Sequence, residues 1–322
     1  MGSPSWLARV FLLSWFRRAR VLPLWLAGAV LAVVLAWGQD PVFRSAVALV
    51  RVDAQVTDGT VAIDGLQKED FTIQDNGRPR PILYCSQEEQ SLDLLLLFDI
   101  SDSMFPGIRR LAASAHTALT ELRQGDRVAI ADFNTGSWLM APFNDNLQEV
   151  EESVSRVVDL RFGGGTHILS ALHDAAQYFA KHGDKQRRRA ILIFTDDDGQ
   201  PSMSENKVVD RMWESDVLLC GLIISTPGSL RRGPYRPSES MTGVAARTGG
   251  EVVNADNPGH AFREMLHRIR KRYSIYYEMP PGMPGKSRQV SVELSEDAKS
   301  RYPNGRVLAR KGYVIPRTGE PQ

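Results

Sequence analysis

Residues 92–107 read LDLLLLFDISDSMFPG, an apolar run that ends in small oxygen-bearing side chains at Asp99, Ser101 and Ser103, with Asp102 between them. Two distant stretches carry the same chemistry. RFGGGTHI places Thr166 directly after three glycines, and ILIFTDDDG closes a second apolar run with Asp196, Asp197 and Asp198. Hydroxyls and carboxylates without a thiolate form a hard-oxygen donor set. Such a set suits a divalent cation, magnesium first, with manganese or calcium as alternatives. Asp and Ser are also favoured helix N-caps, so DISDS taken alone reads equally well as a cap beside a turn. The glycines at 163–165 fit neither G-x-x-x-x-G-K-[ST] nor G-x-G-x-x-G, which argues against a nucleotide loop. Ser101 and Ser103 lack the G-x-S-x-G elbow and a placed histidine, which argues against a serine hydrolase. Ser101 also stands where an aspartyl-phosphate hydrolase would carry its second aspartate. The histidines show no ligand spacing, and His167 reads as a surface residue at a helix start.

These loops meet only if strands and helices alternate. Strands are expected at 92–98, 127–133, 138–140, 190–195, 217–224 and 251–254. Helical patterns fill 107–122, 147–159, 168–181, 205–214 and 261–272. Several strands are near-continuous apolar runs, as in a parallel sheet covered on both faces. The alternation predicts an α/β fold with a doubly wound, mostly parallel sheet and right-handed crossovers. Ligands of such sheets sit beyond the carboxyl ends of the strands at the switch point, where Asp99, Thr166 and Asp196 would converge. Both flanks read as β. Residues 45–56 alternate, Asn76-Gly77 is a hairpin signal, and YSIYYEM, RQVSVELS and GRVLARKGYVIP follow the last helix. Neither flank is long enough for a core of its own. Residues 45–88 and 273–316 are therefore expected to pair as one small β-sandwich-like domain, with an α/β domain at 91–272 inserted between them. Arg187, Arg188 and Arg189 read as a solvated loop, and Trp138 and Phe143 as packing.

The five candidate ligands resemble the metal-ion-dependent adhesion site of the von Willebrand factor A domain family, whose motif is D-x-S-x-S with a distant Thr and a distant Asp. Asp99, Ser101 and Ser103 match the first part, Thr166 the threonine and Asp196 the aspartate. The family more often has glycine directly after that aspartate, where this chain has Asp197. The resemblance covers residues 92–272, and the β flanks resemble an exported bacterial subfamily. It implies that the serine and threonine hydroxyls touch the metal while the aspartates act partly through water. It also implies an open coordination position that draws Asp or Glu from a partner protein, coupled in related domains to movement of the last helix.

Bulk numbers fit an ordinary globular protein. The 322 residues are 43% apolar and 24% charged, with a formal net charge of +1, which gives no electrostatic case for nucleic acid. Two cysteines, Cys85 and Cys220, exclude a disulfide scaffold and a cysteine-based zinc cluster. Cys220 reads as a core residue, and a Cys85–Cys220 bridge is geometrically open. Arg17, Arg18 and Arg20 precede an uncharged stretch at 21–39. That layout predicts a signal peptide or N-terminal membrane anchor over 1–39, and so export to the periplasm, cell envelope or exterior. Membrane contact is expected only through that segment if uncleaved. The expected role is recognition or adhesion rather than catalysis. The alternative is a cell-envelope assembly or scaffold factor with a structural metal. A metal-dependent hydrolase comes third, since no general base stands out.

Overall fold

The structure is a computed structural model that describes residues 48–59, 61–87, 90–225 and 240–317. All of these fall within the unit Ala48–Gln322. The leader expected over 1–39 lies outside the described residues, among which no helix is long and apolar enough to cross a membrane.

The N-terminal flank supplies β1 (Leu49–Asp58), β2 (Val61–Ala62), β3 (Phe71–Asp75), β4 (Arg78–Arg80) and β5 (Ile82–Ser86). The α/β part begins with β6 (Leu92–Asp99), α1 (Phe105–Ala113), α2 (Ala115–Leu119), β7 (Arg127–Phe133), β8 (Ser137–Asn144) and α3 (Leu147–Ser155). It continues through α4 (Ile168–His182), β9 (Arg188–Thr195), α5 (Glu205–Glu214), β10 (Val217–Ile223), α6 (Met241–Thr248), β11 (Val252–Asn254) and α7 (Pro258–Arg270). The C-terminal flank adds β12 (Tyr273–Glu278), β13 (Ser287–Leu294), α8 (Glu296–Arg301), β14 (Gly305–Ala309) and β15 (Gly312–Val314).

The central sheet runs β11-β10-β9-β6-β7-β8. All neighbours are parallel except β7 and β8. Every residue of β6 and β9 is buried, because helices cover both faces. Leu94, Leu96 and Phe98 pack with Ile108 of α1, Val154 of α3 and Phe262 of α7. Leu95 and Leu97 face the other way, onto Leu172 of α4, Val208 of α5 and Val244 of α6. The period of two along one strand thus feeds two separate cores.

Strands from both flanks share two further sheets, ordered β14-β1-β12-β5 (with β2 on β1) and β15-β13-β3-β4. Their facing residues, among them Val52, Ile73, Ile275 and Val292, form a third core.

Several details differ from the sequence reading. The helix expected over 107–122 starts at Phe105 and breaks at Ser114, whose φ of −111° and ψ of 0° leave the helical region. Strand β8 extends from Ser137 to Asn144, well past 138–140. Helix α6 was not foreseen. The two cysteines are free, Cys220 in the core beside Leu222 and Cys85 on β5. The largest correction concerns the arginine triplet. Arg188 and Arg189 are the first residues of β9 and are 0% and 5% exposed. Arg188 donates to the carbonyls of Ile269 (3.1 Å), Arg270 (2.7 Å) and Arg272 (3.1 Å). It also pairs with Asp53 at 3.3 Å. Its partners lie 81 residues or more away in sequence, which is why a local charge run looked solvated.

Candidate metal site

The floor of the site is the end of β6. Asp99 is fully buried, and both of its carboxylate oxygens are committed. Oδ2 accepts from the Thr195 hydroxyl at 2.6 Å, and Oδ1 accepts from the Ser101 backbone N–H at 2.9 Å. Thr195 ends β9, the parallel neighbour of β6, so adjacency in the sheet creates this contact. Burial pushes the Asp99 carboxyl up to about 6, opposed by the Thr195 and Ser101 bonds and reinforced by the Asp196 charge.

Ser101 opens a short 3-10 turn, yet its side chain makes no capping hydrogen bond. The cap reading of DISDS therefore fails at this residue, and its hydroxyl is turned to other use. The Ser101 and Ser103 hydroxyls lie 3.5 Å apart. Ser103 in turn donates to Asp196 Oδ2 at 2.7 Å. Asp99 and Ser101 are thus buried at the base, while Ser103 and Asp196 are partly open at the rim.

Thr166 reaches the same corner through its backbone. The Gly163 N–H donates to Ile100 O at 2.9 Å, and the Gln200 N–H donates to Thr166 O at 2.7 Å. These two bonds tie the glycine-rich loop to the loops that follow β6 and β9. Gly163 and Gly164 take φ of 151° and 87°, a conformation that side chains with a Cβ disfavour. Asn134, after β7, braces the loop by donating to Gly163 O at 2.9 Å. His167 is partly exposed and sits 3.1 Å from Thr135 O, beside the group rather than in it.

Four of the five expected residues are therefore linked by side-chain contacts, and the fifth is joined by backbone. Sequence reasoning missed the two residues that hold them. Thr195, a hydroxyl closing a buried strand, was a visible signal. Asp197 was seen only as an extra charge. It adopts φ of 56°, and its carboxylate accepts from Ser240 Oγ (2.7 Å) and Met241 N (3.0 Å), fastening the Asp196 loop to the start of α6.

Among the described residues no three His, Cys, Asp or Glu side chains gather to hold a metal, so a cation here must draw on hydroxyls. The residues fit that demand. Two carboxylates share the corner, and Asp99 is buried without a cation among its hydrogen-bond partners.

Residues 94–200 match the family model of the von Willebrand factor type A domain. This stretch of the α/β part belongs to the von Willebrand factor type A domain family. The matched stretch of this domain begins in β6 and ends just past Asp196–Asp198. Its fold is similar to that of an aerotolerance-related membrane protein from Bacteroides fragilis (20% identity, 56% of this chain and 100% of that one, TM-score 0.46). It is also similar to BatB from Bacteroides thetaiotaomicron (19% identity, 56% and 97%, TM-score 0.46). A von Willebrand factor type A protein from Catenulispora acidiphila aligns over 80% of this chain and 76% of its own, at 15% identity and TM-score 0.46. Among curated proteins, none matches this chain.

Proposed function

We propose that this von Willebrand factor type A protein binds a divalent cation, magnesium first, through Asp99, Ser101, Ser103, Thr166 and Asp196, and through it an acidic residue of a protein partner. The observation that supports this most is the Ser103–Asp196 contact at 2.7 Å above a buried Asp99. It joins loops 93 residues apart into one oxygen-only rim. When bound, the cation would supply positive charge with a position open to a carboxylate oxygen. The protein's own work is positional. Thr195 and the Ser101 N–H orient Asp99, the bonds from Gly163 and Gln200 seat Thr166, and Asp197 anchors the Asp196 loop. The hydroxyl ligands are neutral and no residue beside them stands out as a general base, which favours recognition over catalysis. The basic and then apolar pattern of residues 17–39 supports a location outside the cytoplasm.

Manganese-loaded protein gives a direct test, because protein-bound manganese relaxes water protons through its open position. A peptide with a single glutamate should lower that enhancement, and its glutamine counterpart should not. Equal effects of the two peptides would refute carboxylate capture. Loss of manganese binding in Ser101→Ala with no peptide effect in the wild type would instead favour a structural metal.

A further inference from the structure

At the opposite, amino ends of the central strands lies a cavity of about 20 Å³. The eight residues of β9 separate it from the candidate metal site by roughly 23 Å at about 3.3 Å per residue. Its walls include Asp53, Arg189, Trp213, Asp216, Thr248 and Arg310. Asp216 accepts from three guanidinium groups, Arg51 at 2.8 Å, Arg189 at 3.2 Å and Arg310 at 2.6 Å. Asp53 pairs with Arg188 at 3.3 Å and accepts from Ser274 at 2.8 Å. Four arginines thus face two carboxylates, an excess of two positive charges over the cluster, in which Arg189 and Arg310 share the cavity wall with Asp53 and Asp216. Arg272 adds another cation whose hydrogen bonds go to neutral acceptors, Gly249 O and Gln55 Oε1. The next carboxylate, Asp93, is engaged by Arg127 and Arg187.

Two guanidinium Nε groups of the cavity wall, those of Arg189 and Arg310, are buried and have no hydrogen-bond partner among the described residues. The Arg189 side chain is only 6% exposed, and burial pulls its pKa down despite the Asp216 charge. Buried charge and unpaired donors are both costly, and natural proteins rarely leave several together. The cavity has room for one water-sized or halide-sized occupant, and of the two only an anion offsets the charge excess. We propose that this cavity is a binding site for one small monovalent anion, chloride in size, held by Arg189 and Arg310 against the Trp213 wall. The anion would join β1 and the turn after β14 to the start of β9, stitching the flanking strands to the central sheet.

The test is thermal unfolding of the full chain at constant ionic strength, with gluconate replaced stepwise by chloride. The midpoint should rise and saturate in the wild type, and Arg310→Gln should weaken the half-saturating chloride at least tenfold. Superimposable chloride and gluconate series would overturn the proposal, as would a rise that survives in Arg310→Gln. A response to inorganic phosphate but not to chloride would also overturn it, since a polyatomic oxyanion exceeds the cavity. Bromide-soaked crystals of the wild type provide a readout that needs no variant. An anomalous peak beside Arg189 supports the site, and a map with none there rejects it.

Discussion

Arg188→Met separates the two readings of the arginine triplet. A solvated loop arginine would change stability by no more than about 0.5 kcal/mol. In the structure the guanidinium is fully buried and serves the C-terminal carbonyls of α7, the Arg272 carbonyl and Asp53. Burial alone would raise the Asp53 carboxyl, but Arg188 and Arg51 outweigh it and hold the carboxyl well below its usual range. Removing the guanidinium breaks a buried pair, about 3 kcal/mol at the low end because Arg51 and Ser274 still face Asp53. Three carbonyls also lose a charged donor, at about 1 kcal/mol each. The expected loss is therefore about 6 kcal/mol, comparable with the whole stability of many domains. Urea unfolding followed by tryptophan fluorescence and far-UV circular dichroism measures it. The double variant with Asp53→Asn should lose at least about 1 kcal/mol less than the sum of the two single losses, because both single variants break the same buried pair. A loss within 0.5 kcal/mol of zero, or a strictly additive double variant, would refute the staple.

Three further substitutions test other parts of the account. Asp132, on β7, is 5% exposed, and burial pushes its carboxyl up to about 6. A raised folded-state pKa means that stability is greatest below the unfolded value near 3.8 and is lost as pH rises through about 6. Asp132→Asn should remove that slope between pH 4 and 6 and gain up to about 3 kcal/mol at pH 8, and an unchanged denaturation profile would contradict the burial argument. Thr195→Val deletes the donor to Asp99 with little change of shape, and calorimetry should show magnesium affinity falling about 10- to 100-fold. Asp197→Ala removes the acceptor for Ser240 and Met241 and places a Cβ residue without a polar side chain at φ of 56°. Unfolding should show a loss of about 2–3 kcal/mol, whereas Asp197→Asn, which tolerates the left-handed conformation, should lose less.

What could be read in advance follows from how far each signal reaches along the chain. Strand β6 was legible because burial on both faces demands an unbroken apolar run, and its abrupt end at Asp99 marked the start of the candidate site. Asp196 was legible because aspartates collect in loops after such strands, and Thr166 because three glycines mark the loop before the helix Ile168–His182. Strand β8 was under-read because it is an edge strand, half exposed throughout and interrupted by Pro142, so neither period is clean. Helix α6 was missed although Gly249, with φ of 88°, ends it in the left-handed conformation common after helices. Gly243 and Thr242 inside the stretch weaken its helical pattern. The roles of Arg188, Thr195 and Asp197 rest on partners 43 to 135 residues away, which no local pattern reveals.

Magnesium calorimetry on the full chain, wild type against Asp99→Ala with Thr166→Ala, tests the central claim most directly. Saturable one-site binding in the wild type that vanishes in the double variant, with the fold intact by circular dichroism, is the predicted result. Binding of equal strength in both proteins would place the cation elsewhere and contradict the assignment.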